Sequence, residues 1–163
     1  MGRSIISNTG PLVALAVINR LDLLRLLFDE VIVPEAVHSE LLAGGMNQAG
    51  VAAYQHAHWI KASKLKNPID QLLASVLDIG EASVIQLAGE RNITHALIDE
   101  RKGRRIAREV YQLQVIGSAR ILVEAKRQGY LANVEENLAA MRQHGYWLHD
   151  KIVTAILREA GER

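Results

Sequence analysis

Short apolar runs, each followed by a stretch with helical spacing, recur along almost the whole chain and leave few folds open to it. Ser4 to Ser7, Val31 to Val33, His95 to Ile98 and Gln114 to Ile116 have the length and aliphatic content of buried strands, and Trp59 to Ala62 adds a short fifth run. Helical patterns separate them: Leu12 to Ile18, Leu21 to Phe28, Pro34 to about Leu42, Asn47 to His58, Ile69 to Leu77, Glu81 to Arg91, and Arg101 to Tyr111. A further helix runs from Ser118 to near Gly129, and two more patterns, Val134 to Gln143 and His149 to Ala160, follow it. The punctuation agrees. Asn8 or Thr9 caps a helix with Pro11 in its first turn, Gly44-Gly45 stops another, and Gly80 interrupts the chain just ahead of Glu81. Strands alternating with helices predict one α/β domain over residues 1–163. Its expected form is a three-layer α/β/α sandwich around a parallel sheet of four to five strands.

Composition narrows the chemistry. Apolar residues make up 49% and aromatics only 4% of the 163 residues, so the core is built from Leu, Ile, Val and Ala. The absence of cysteine excludes disulfides and Cys-based zinc sites. No apolar run approaches the ~18 residues of a membrane span, and Arg3 is not followed by the long apolar stretch of a signal peptide; a cytoplasmic location is expected. Net charge is +1, but Arg101, Lys102, Arg104, Arg105 and Arg108 gather five cations into eight residues, a local footprint for a polyanion. There is no P-loop, no G-x-G-x-x-G and no G-x-S-x-G. The six histidines have no metal-ligand spacing, since His56 and His58 fall on different helix faces and His144 and His149 lack an ordered partner.

Ligands of open parallel sheets bind outside the carboxyl ends of the strands. Asn8, Asp99 and Ser118 each follow a strand and belong to that side. Two acids join them from helices. Glu40 lies three residues after Val37, on the same face, and Glu81 lies on the apolar stripe of Val84, Ile85 and Ala88. A lone carboxylate on such a stripe is costly unless a cation or partner relieves it. Oxygen ligands suit Mg2+ or Mn2+, which acidify bound water and offset phosphate charge. Each residue also has a purely structural reading. Asn8, Asp99 and Ser118 are ordinary helix caps, Glu81 sits in a first turn where the dipole favours acids, Glu40 pairs with a surface cation, and the basic run is a solvated helix face.

Five blocks of this sequence resemble, in order, one branch of bacterial and archaeal PIN-like proteins: I-I-S-N-T-G-P-L-V-A-L-A, V-I-V-P-E-A-V-H-S-E-L ending at Leu41, I-G-E-A-S-V-I-Q-L-A from Ile79, A-L-I-D-E-R-K-G-R-R-I-A from Ala96, and V-I-G-S-A-R-I-L-V-E-A-K from Val115. They run over nearly the whole chain. The resemblance implies a metal-dependent endoribonuclease acting on single-stranded RNA with Mg2+ or Mn2+. Many such proteins are the toxin of a toxin–antitoxin pair, dimerise, and are silenced by an antitoxin protein; the apolar tail helices are the expected contact surface. It implies Glu40, Glu81 and Asp99 as catalytic acids, with Asn8 in the place of the first acid and completing the metal ligands. It also implies Ser118 as the family's Ser or Thr near the metal and Arg104 as its recurrent basic position. Arg101, Arg104, Arg105, Arg108 and Ser118 form the expected nucleic-acid-binding set. Two positions depart from the family. Asn8 removes a negative charge, which weakens metal affinity and leaves open an inactive nucleic-acid-binding or regulatory protein. Glu100 stands where the branch often carries Asp, as a ligand or an extension of the cap.

Overall fold

A computed structural model describes residues 3–44 and 48–163. In chain order the elements are β1 (Ser4–Ser7), α1 (Thr9–Val17), α2 (Asp22–Leu27), β2 (Glu30–Pro34), α3 (Glu35–Ala43), α4 (Gln48–His56), β3 (Ile60–Ser63) and α5 (Gln71–Val76). There follow α6 (Ile79–Arg91), β4 (His95–Leu97), α7 (Arg101–Glu109), β5 (Gln114–Ile116), α8 (Ser118–Arg127), α9 (Val134–Gln143) and α10 (Asp150–Glu159). The five strands form one parallel sheet in the order β3-β2-β1-β4-β5. Ile5 pairs with Val31 on one side and His95 on the other, and Leu97 with Ile116.

Burial explains this order. Ile5, Ile6, Ile32, Val33 and Leu97 are buried, as central parallel strands covered on both faces require. The two edge strands carry the polar residues, with exposed Lys61 in β3 and exposed Gln114 in β5, which discourages further strand pairing. Helix α6 packs along β1, β2 and β4, while α2 packs on β2 and α8, and α8 meets α1, α9 and α10. The three-layer α/β/α arrangement expected from the alternation is present. No helix among the described residues is long and apolar enough to cross a membrane.

Several local expectations are corrected. Gly80 does not interrupt a helix: α6 begins at Ile79 with Asp78 as its cap, and Gly80 is buried inside the first turn. Glu100, not Asp99, caps α7, accepting from the backbone N–H groups of Lys102 and Gly103. Gly117 is the residue at the cap of α8, so Ser118 is already helical. Gly44 ends α3 in the left-handed conformation, φ 65°, as a terminating glycine does. Gly45 and Asn47, read as helix stop and helix start, lie outside the described residues.

Candidate active site

Strand order reverses between β1 and β4, which opens a crevice at their carboxyl ends. Asn8 leaves β1 there and donates its N–H to Leu97 O at 2.9 Å, which fixes it beside β4. Although Asn8 occupies the cap position of α1, its side chain makes no capping hydrogen bond. Its Oδ1 turns instead toward Gly80. A Cβ on Gly80 would lie 3.1 Å from Asn8 Oδ1, 3.4 Å from Glu40 Oε2 and 3.5 Å from Asp78 Oδ1. Three oxygens from three elements therefore converge where this glycine leaves room. Glu40 is exposed and accepts from Thr9 Oγ1 at 2.9 Å, in place of the surface cation that its structural reading requires. Asn8, Thr9, Glu40, Asp78 and Tyr146 line a cleft of about 240 Å3 with apolar walls that include Val13, Leu41 and Val51.

Glu81 lies deeper. It is 3% exposed, and its Oε2 is the buried side-chain oxygen without a hydrogen-bond partner among the described residues. Burial pushes its carboxyl up to about 9, helped by hydrogen bonding to the neighbouring Asp78 and Glu100 and by their negative charge. Those neighbours are acceptors, so they can hold Glu81 only while it keeps its proton. Asp78 Oδ1 also accepts the Glu81 N–H at 2.8 Å, tying the two acids into one helix start. Gly103 on α7 makes the arrangement possible, since a methyl there would overlap Glu81 Oε2.

Asp99 has a different environment. Its Oδ1 accepts the Ser118 N–H at 2.7 Å and its Oδ2 the Ser118 hydroxyl at 2.8 Å. The Tyr146 hydroxyl donates to Oδ2 as well. Asp99 thus satisfies the first N–H of α8, where an anion is favoured by the helix dipole. Arg104 turns back toward it, donating to Ile98 O at 2.9 Å. Burial lowers the pKa of Arg104, and the Asp99 charge opposes that; the guanidinium stays ionised. Burial also raises the pKa of Tyr146, with the Asp99 charge and hydrogen bond acting the same way.

The expected residues therefore divide. Asn8, Glu40 and Glu81 gather around Asp78, while Asp99 has its own cradle of donors and adjoins the same cleft through Tyr146. Ser118 is fully buried and gives both donors to Asp99, so it holds that carboxylate and is not exposed to a strand of RNA. Of the basic run, Arg101, Lys102, Arg105 and Arg108 are exposed and Arg104 faces inward. Two participants escaped the sequence reading. Asp78 had a usable signal, an acid three residues before Glu81 at a helix start. Tyr146 had none, being 47 residues from Asp99.

Among the described residues no three His, Asp or Glu side chains form a ready-made metal site. The donor set still fits a hard divalent cation. It is all oxygen, it includes an orphaned buried carboxylate oxygen, and Gly80 leaves a gap ringed by three more oxygens. Mg2+ and its relatives keep several waters and take only one or two carboxylates directly. A family model described as a PIN domain matches residues 4–162. No curated protein and no solved structure gives a significant match.

Proposed function

This chain belongs to the PIN-domain family, and we propose that it is a divalent-metal-dependent endoribonuclease that cuts single-stranded RNA. The observation that carries the reading is Glu81: a buried carboxylate with an orphaned oxygen, beside two further acids, next to the crevice where the strand order reverses. Asn8, Glu40, Glu81 and Asp99 would hold the ion, Mg2+ or Mn2+, with Asp78 and Glu100 adjacent. Once bound, it supplies acidified water and charge compensation for the scissile phosphate. Glu40, Glu81 and Asp99 are the acids on which activity depends. Arg104 offsets their charge from within. Arg101, Arg105 and Arg108 on α7 hold RNA phosphates by counterion release.

The purified chain, freed of any bound protein, is expected to cleave unstructured RNA in Mn2+ or Mg2+ and to stop when the metal is chelated. Asp99→Asn is expected to abolish cleavage while circular dichroism stays unchanged. No cleavage with either metal, or full turnover in that variant, would sink the reading. RNA binding itself is expected to weaken linearly in log–log plots against salt. Arg101→Ala should lower that slope by about 0.7, the share of one single-strand phosphate contact; an unchanged slope removes Arg101 from the interface.

Asn8 favours a second reading, a non-cleaving RNA-binding or regulatory protein, because the place of the first acid carries no charge. Chelator-resistant RNA binding without cleavage would select it. The toxin role belongs to the first reading. Growth arrest on expression, relieved by a small protein encoded beside this one, is its expected sign. An antitoxin contact or a homodimer would use α9 and α10, near which Trp147 and Ile152 are exposed, and a monomer mass in solution would exclude the homodimer.

A further inference from the structure

The connector between α9 and α10 carries Tyr146 to Asp99 and is tied down on both sides. Tyr146 N–H donates to Met141 O at 2.9 Å. Arg142 Nη2 donates to Leu148 O at 2.7 Å and to Asp150 at 2.8 Å. The ring packs against the core, and Gly10 makes room for the hydroxyl, which would lie 3.4 Å from a Cβ at that position. Tyr146 is therefore a fixed wall of the cleft that also holds Asn8, Glu40 and Asp78.

A carboxylate oxygen has two acceptor positions. On Asp99, Oδ2 receives both the Ser118 and Tyr146 hydroxyls, whereas among the described residues Oδ1 receives only the Ser118 N–H. Oδ2 is filled and Oδ1 keeps one free position. We infer that Tyr146 is a positioning residue that restricts Asp99 to one-oxygen coordination and so sets which divalent ion the site accepts. This rests on the metal-dependent reading above. Small octahedral ions such as Mg2+ and Mn2+ use single carboxylate oxygens at short distance, while Ca2+ accepts two oxygens of one carboxylate and more ligands in total. Removing one hydroxyl opens Oδ2 to a second, bidentate contact. It also loosens a hydrogen-bonded ligand whose orientation governs affinity.

The experiment measures Mn2+ and Ca2+ affinities by calorimetry without RNA, for the wild type and for Tyr146→Phe, Ser118→Ala and the surface control Tyr130→Phe. Tyr146→Phe should lose on the order of 10-fold in Mn2+ affinity and none in Ca2+ affinity, so the Mn2+/Ca2+ preference falls by that factor. Ser118→Ala should shift the preference in the same direction, and Tyr130→Phe should leave it unchanged. A merely structural tyrosine would weaken both ions alike. A preference unchanged in both site variants overturns the inference, even if the protein cuts RNA. If Tyr146→Phe fails to fold in chelator, Ser118→Ala decides alone. A wild type that prefers Mn2+ and loses that preference in Tyr146→Phe, yet cuts no RNA, supports the inference and removes the nuclease reading. A wild type that binds neither ion overturns both.

Discussion

Glu81→Gln is expected to make the metal-free protein more stable by about 3 kcal/mol at pH 7, and to abolish metal-dependent cleavage at the same time. The sign follows from the raised carboxyl, at about 9 in the folded chain against 4.5 as its ordinary value. Between those two values the unfolded chain has lost the proton and the folded chain retains it. Folding therefore loses about 1.4 kcal/mol of stability per pH unit as pH rises through the window. Below 4.5 both states are protonated and the difference vanishes. Glutamine is neutral throughout and its amide N–H groups can donate toward the Asp78 and Glu100 carboxylates, where the protonated acid offers a single O–H. Thermal unfolding in chelator at pH 5, 7 and 8.5 checks this. The gain from glutamine should be small at the lowest pH and should grow with pH, reaching on the order of 6–12 °C at pH 7. A gain independent of pH would mean that Glu81 is ionised in the folded chain. Stability gained where function is lost is the pattern expected of a site strained for chemistry.

Gly103→Ala gives the second large effect, and its sign should depend on residue 81. Alanine is worth up to about 1 kcal/mol over glycine in a helix interior. Here its methyl would overlap Glu81 Oε2 and come within 3.2 Å of Glu81 Cδ and 3.3 Å of Ile98 Cγ2. Glu81 is 3% exposed, so its carboxyl has little room to move aside. Overpacking of this kind costs about 1–3 kcal/mol, which outweighs the helix gain. With Glu81→Ala already in place the obstruction is gone, and the same substitution should stabilise. A double-mutant cycle by denaturant unfolding reads the coupling directly. Gly89→Ala, where a Cβ meets nothing within 4 Å, supplies the uncoupled reference. Equal effects of Gly103→Ala in both backgrounds would show that Glu81 is free to move aside.

The central strands could be read from the sequence because parallel strands covered on both faces need unbroken aliphatic runs, and Ile5-Ile6 and Val31-Ile32-Val33 leave no helical period. Glu81 was legible as an anomaly, an acid in register with Val84, Ile85 and Ala88, and its burial is that anomaly seen in three dimensions. Asp78 was hidden by Gly80. A glycine beside an acid suggests a break, yet in a first helical turn a glycine costs little, and here its missing side chain makes space for oxygens from β1 and α3. Asp99 and Ser118 each looked like a cap for its own helix. The sheet brings β4 and β5 side by side, so that the acid after one strand serves the helix after the other. That exchange depends on strand order, which no local pattern encodes. Tyr146 lies further still from local inference, because its contact depends on how the last helices fold back across the strand ends.

The position of Tyr146 along the chain also imposes an order in time. Asn8, Glu40, Asp78, Glu81, Asp99 and Glu100 have all been synthesised before the basic helix begins, whereas the hydroxyl that completes the Asp99 cradle arrives 47 residues after Asp99. At about 5–20 residues per second, that separates the two by roughly 2–9 seconds of translation. A nascent chain in that interval has its acids but not the finished hydrogen-bond cradle of Asp99. The cleft is therefore the last part of the fold whose wall can be set in place, after the sheet that carries its acids has already been synthesised.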